Sequence, residues 1–125
     1  MSISAFQKPV KILGIIPARG GSKSIPRKNI ALVAGKPLIY YTIRSAGQSK
    51  LLDAVLVSTD DEEIAAVARS FDADVPFLRP EEFARDDSTD IEFMRHALEW
   101  LKAERGWEPE ILVNLRHIHW VVEDD

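Results

Sequence analysis

Val10-Lys-Ile-Leu-Gly-Ile-Ile-Pro-Ala-Arg-Gly-Gly-Ser-Lys-Ser-Ile-Pro-Arg-Lys-Asn29 decides the fold. Residues 10–16 are almost continuously apolar rather than alternating, which predicts a strand buried on both faces, as in a parallel sheet. The strand stops at Pro17. A basic, glycine-containing loop follows, at the place where open α/β sheets hold their ligands. Gly20 and Gly21 are expected to permit positive φ and to let a ligand approach the backbone. Arg19, Lys23, Arg27 and Lys28 place four cations within ten residues. Backbone amides together with such cations suit a polyphosphate. Composition alone leaves open a solvated surface loop that uses its glycines for turning. Neither G-x-x-x-x-G-K-[ST] nor G-x-G-x-x-G is present, so this is neither a Walker A loop nor a dinucleotide fingerprint.

Outward from that loop the elements alternate. Gly35-Lys36-Pro37 reads as the start of a helix with Pro37 in the first turn, and Ile39, Tyr40, Ile43 and Ala46 or Gly47 follow at helical spacing. Residues 54–57 form a second strand, closed by Ser58-Thr59-Asp60. Thr59 and Glu62 have capping-box spacing, ahead of a stripe of Ile64, Val67, Ala68 and Phe71. An N-cap role for Asp60 is an equal alternative to a place near metal or nucleotide. Residues 74–78 read as a third strand, which Pro76 confines to an edge or an irregular end. Thr89 and Glu92 repeat the capping-box spacing. Ile91, Met94, Leu98 and Leu101 mark the inward helix face, with Phe93, Ala97 and Trp100 beside it. Residues 111–115 form a central-looking fourth strand. The order β-loop-α-β-α-β-α-β predicts an α/β fold, a three-layer α/β/α Rossmann-like arrangement around a mostly parallel sheet.

The chain has 125 residues, enough for one domain, and 46% of them are hydrophobic, enough for a core. Its net charge of −4 argues against a general nucleic-acid partner. Cysteine is absent, which excludes disulfides and thiolate metal sites. No signal-peptide pattern opens the chain, and no apolar run approaches the roughly 20 residues a membrane helix needs. The expectation is a soluble, cytoplasmic protein with no membrane partner.

The loop Ile15-Ile-Pro-Ala-Arg-Gly-Gly-Ser-Lys-Ser-Ile-Pro-Arg-Lys-Asn29 resembles the signature of the cytidylyltransferases that activate acylneuraminate (sialic) acids and related nonulosonic acids. Gly35-Lys36-Pro37-Leu38-Ile39, Val57-Ser58-Thr59-Asp60, Phe77-Leu78-Arg79-Pro80 and residues 86–90 extend the resemblance in order. It implies a nucleotidyltransferase that transfers CMP from CTP to a sugar acid, with release of pyrophosphate. It also implies magnesium as cofactor and allows a homodimer in the full-length family fold. By this resemblance Arg19 and Lys23 grip the triphosphate, Lys28 adds charge as pyrophosphate departs, and Asn29 hydrogen-bonds the nucleotide. Ala18, Gly20, Gly21 and Ser22 complete the nucleotide loop, and Arg79 and Ser88 lie on the base side. The plainer readings are that Arg79 pairs with Glu81 or Glu82, that Ser88 initiates the next helix with Thr89, that Phe93 and Trp100 are core, and that Glu81, Glu82, Asp86, Asp87 and Asp90 are a solvated acidic stretch.

The implied organisation is an extension over 1–9, the nucleotide-binding half over 10–116 and a divergent tail over 117–125. After Leu115-Arg116 the resemblance breaks, at His117-Ile-His-Trp-Val-Val-Glu-Asp-Asp125. A frameshift is one explanation, and the metal ligands are then expected in the absent half. His117 and His119 are read as incidental rather than as a metal pair, and the terminal acids as a frayed end. The rivals are a nucleotidyltransferase for another sugar, a non-catalytic nucleotide-binding remnant, and association with another chain through an uncovered sheet edge.

Overall fold

The computed structural model describes residues 10–21, 28–85 and 87–116. Three parallel strands carry the fold: β1 (Ile12–Pro17), β4 (Ala54–Ser58) and β5 (Ile111–Asn114), in the order β4-β1-β5. Between β1 and β4 come a short hairpin, β2 (Leu32–Val33) with β3 (Lys36–Pro37), and the helix α1 (Leu38–Gln48). Helix α2 (Glu62–Ser70) follows β4, and α3 (Asp90–Arg105) precedes β5. In register, Leu13 faces Ala54 on one side and Leu112 on the other, so β1 is the central strand. β5 is an edge strand among the described residues.

The strands alternate their side chains between two cores, as a pleated sheet requires. Leu13, Ile15 and Leu56 pack against Phe93, Ala97 and Leu101 of α3. Ile16 and Val57 pack on the other face against Ile39 and Ala46 of α1 and Ile64, Ala65 and Ala68 of α2. The three-layer α/β/α expectation therefore holds. Its phase on α3 does not: Phe93, Ala97 and Leu101 point inward, whereas Ile91 is 60% exposed. Met94, Leu98 and Trp100 flank the buried line.

The local boundaries follow from caps and turns. Thr89 and Glu92 form the predicted capping box of α3, each side chain bonded to the other's backbone amide. Gly106, at φ 62°, stops that helix in the left-handed conformation. The predicted box at Thr59 and Glu62 is absent, and Asp60 is not the cap either. Asp61 caps α2, accepting from the amides of Glu63 and Ile64 at 2.8 and 3.1 Å. The Thr59 hydroxyl instead accepts the Asp61 amide at 3.1 Å. Pro37 ends the hairpin with ψ 144° and lies outside the helix. Ala34 and Gly35, at φ 51° and 83°, make the two-residue hairpin turn, whose twist suits two left-handed residues.

Residues 74–78 run beside β4 without forming a strand. The Val57 amide reaches the Asp74 carbonyl at 2.8 Å, and an isolated parallel bridge joins Thr59 to Leu78. Pro76 lies between these contacts and has no amide to extend the ladder. No described helix is long and apolar enough to cross a membrane.

Candidate nucleotide-binding site

Because the three strands are parallel, their C-terminal ends share one rim of the sheet. A cleft opens there, lined by Pro17, Arg19, Lys28, Asn29, Arg79, Phe83, Arg85, Ser88, Thr89, Asp90, Phe93 and Arg116. Five residues predicted for the site, Arg19, Lys28, Asn29, Arg79 and Ser88, meet on this wall. The described lining holds five cationic side chains and a single carboxylate, that of Asp90. In a chain of net charge −4 this is a local reversal of sign. A cleft of one sign with low-dielectric walls concentrates counter-ions of the other.

Arg79 is the most constrained of these groups. It is only 5% exposed. Its Nε donates to the Ser58 hydroxyl at 2.9 Å, one terminal nitrogen to the Ser58 carbonyl at 2.7 Å and the other to the Phe83 carbonyl at 3.2 Å. Its guanidinium carbon lies 4.8 Å from the centroid of the Phe93 ring. These partners replace the expected pairing with Glu81 or Glu82. Burial pushes the Arg79 pKa down to about 10, partly offset by Asp60 and Asp90 and reinforced by Arg19 and Arg116. It still carries its charge at neutral pH.

The loop start is anchored rather than open. Ala18 is buried, with its amide on the Ser58 carbonyl at 2.9 Å. Gly20 donates its amide to Asp60 at 2.8 Å, so Asp60 holds the loop. Neither Gly20 nor Gly21 adopts a positive φ, contrary to expectation. Gly20 is small for another reason: a Cβ there would lie 2.5 Å from a carboxylate oxygen of Asp61. Gly21 is exposed, and none of the described residues would lie within 4 Å of a Cβ placed there. Ser22, Lys23 and Arg27 lie outside the described residues, as does Asp86.

Lys28 and Asn29 open a short 3-10 turn (Lys28–Ile30), and the Asn29 side-chain Nδ2 donates to the Arg19 carbonyl at 3.5 Å. Ser88 staples its own loop, donating to the Glu82 carbonyl at 3.0 Å and accepting the Arg85 amide at the same length. Thr89 alone caps the helix. Asp90 does not belong to a solvated stretch, since it accepts from Asn114 at 3.1 Å and pairs with Arg116. The sequence gives no site role to Arg85 or Arg116 and reads Asp90 as solvated. Arg116 had the clearest signal, lying just beyond the C-terminal end of a parallel strand.

No group of three or more His, Asp or Glu side chains able to hold a metal occurs among the described residues. The single lining carboxylate is already engaged by Asn114 and Arg116.

A parallel sheet covered on both faces is a Rossmann-like α/β architecture, and a cationic cleft at its strand ends suits an anionic ligand. The cytidylyltransferase family pattern matches residues 13–108, and the chain belongs to that family. It is 49% identical over 88 residues to the N-acylneuraminate cytidylyltransferase of Escherichia coli O18:K1:H7, covering 70% of this chain and 21% of that protein. It is 46% identical over 95 residues to a pseudaminic acid cytidylyltransferase of Campylobacter jejuni, covering 76% of this chain and 41% of the relative. A solved CMP:2-keto-3-deoxy-manno-octonic acid synthetase complexed with CTP superimposes with a TM-score of 0.67 at 26% identity, covering 85% of this chain and 39% of that one. The chain thus spans well under half the length of these relatives.

Proposed function

We propose that this chain is the nucleotide-binding part of an enzyme that transfers CMP from CTP to a sialic acid or related nonulosonic acid. In that reaction the sugar's anomeric hydroxyl attacks the α-phosphorus, the α–β phosphoanhydride bond breaks, and pyrophosphate leaves. Such a transfer depends on in-line positioning and charge stabilisation more than on covalent chemistry. The carrying observation is the convergence of Arg19, Lys28, Arg79, Arg85 and Arg116 on one cleft. Arg19 and Lys28 are assigned to the phosphates, together with Lys23 from the same loop. Asn29 is assigned to the nucleotide, and Arg79 and Ser88 to the base side. Arg79 is held by Ser58 and Phe83, so its share is to shape and charge the wall. Magnesium belongs to this reading as an ion shielding the phosphates. The nonulosonic acid is carried by the named relatives and the sequence resemblance.

Calorimetry with CTP tests the binding half of the reading. Arg19→Ala and Lys23→Ala should each weaken CTP by roughly tenfold to a hundredfold, the equivalent of about 1.5–3 kcal/mol for a charged hydrogen bond. Unchanged affinity in both variants rejects the phosphate assignment. Incubation with CTP, magnesium and a panel of nonulosonic acids tests the transfer. CMP-sugar formation supports the enzyme, and CTP binding without product supports a nucleotide-binding module.

A further inference from the structure

Asp90 is chemically out of place. A carboxylate in the wall of an anion-binding cleft repels the ligand, and through space alone it should weaken binding. Its hydrogen bonds indicate what it gives in return. Asp90 is the first residue of α3, so the helix amides also favour its charge. One carboxylate oxygen accepts the side-chain amide of Asn114, the last residue of β5, at 3.1 Å. The other accepts from a terminal nitrogen of Arg116, two residues further on. One side chain therefore ties the start of α3 to the chain leaving β5. Arg116 is nearly half exposed and lines the cleft. A guanidinium offers five N–H donors, and the ion pair engages one nitrogen.

We propose that Asp90 is a positioning residue that holds the Arg116 guanidinium against the anionic group bound in the cleft. The inference rests on the phosphate-binding reading above and adds to it a cation from the end of β5 and the carboxylate that aims it. Asp90 and Arg116 both act on the charge of Arg79, the first favouring it and the second opposing it, in keeping with their shared wall.

Positioning and simple repulsion predict opposite signs. CTP affinity is measured by calorimetry for the chain as it exists and for Asp90→Asn, Asp90→Ala, Arg116→Ala and the Asp90→Asn/Arg116→Ala double variant, with inorganic tripolyphosphate as a second probe. Positioning predicts about tenfold weaker binding for each single variant, and no additional loss when Asp90→Asn is placed on Arg116→Ala. A general structural role would weaken binding in both backgrounds. Asp90→Asn keeps an acceptor for Asn114 and nearly the same volume, so it carries the test if Asp90→Ala fails to fold. Tighter or unchanged binding in Asp90→Asn overturns the proposal while leaving the nucleotide reading intact. A parent chain that binds tripolyphosphate but not CTP overturns the nucleotide reading, and the same variants then read the proposal with tripolyphosphate. A parent that binds neither overturns both.

Discussion

Gly20 and Asp61 approach so closely that a Cβ on the glycine would lie 2.5 Å from a carboxylate oxygen of Asp61 and 2.8 Å from its Cβ. Asp61 cannot move aside freely, because its carboxylate caps α2 through the amides of Glu63 and Ile64. The cationic loop therefore leaves β1 pressed against the start of a helix. The neighbouring Asp60 fixes the same point by accepting the Gly20 amide.

Gly20→Ala should accordingly destabilise the chain by about 1–3 kcal/mol, the usual scale for overpacking, and weaken CTP binding as the loop shifts. Gly21→Ala is the control: a methyl group there would meet none of the described residues within 4 Å, and its cost should stay within about 0.5 kcal/mol. Equal denaturation midpoints for the two variants would contradict the close approach.

Thr89→Ala removes the hydroxyl that accepts the Glu92 amide. The loss should be about 1 kcal/mol, as for other N-caps, or roughly 2–8 °C in thermal midpoint for a domain of this size. The same change at Thr59, outside the capping position of α2, tests a different contact, its bond to the Asp61 amide.

Arg79→Lys keeps a positive charge but cannot reproduce three directed bonds together with the guanidinium over the Phe93 ring. It strands the Phe83 carbonyl, which accepts from Arg79 in the native arrangement. We expect a loss of about 1–3 kcal/mol in urea unfolding, with weaker CTP binding. Lysine stability equal to that of the parent would show that charge alone suffices at this position.

His96 supplies the pH dependence. Its ring lies edge-on to Phe77 at 4.6 Å and near Phe83 at 5.8 Å. Its Nδ1 is buried with no hydrogen-bond partner among the described residues. Burial, then the Arg79 charge, lower its pKa below 6.5, while Glu99 opposes them. The unfolded chain then takes up a proton at this site more readily than the folded one. The His96 contribution is complete above about pH 6.5 and is lost as pH falls from there through the lower folded value. The thermal midpoint of the parent should drop between pH 7 and pH 5 more steeply than that of His96→Phe. Parallel curves would remove His96 as the source.

The strands, helices and layer order are legible because apolar runs and caps are local signals. Residues 10–16 announce β1, and Thr89 with Glu92 announces α3. The hairpin at 32–37 is not legible, since each strand has two residues and shows no period. The sequence misphases the inward face of α3 because Ile91 and Phe93 are both apolar, and only packing against Leu13, Ile15 and Leu56 decides between them. In the site, the loop cations can be read from their density, and Arg79 and Ser88 come from the family resemblance. The ties of Asp90 to Asn114 and Arg116 span 24 and 26 residues. No spacing rule reaches across such a distance; only the return of the chain through α3 brings those groups together.

The two buried clusters on opposite faces of the sheet have no residue in common. Substitutions such as Ala97→Gly beneath one helix layer and Ala68→Gly beneath the other should therefore sum almost without cross-talk. A compensating change for damage on one face must arise on that same face or in the strands between them. The two sides of this small molecule are free to drift in sequence independently, provided the rim that both support keeps its charge.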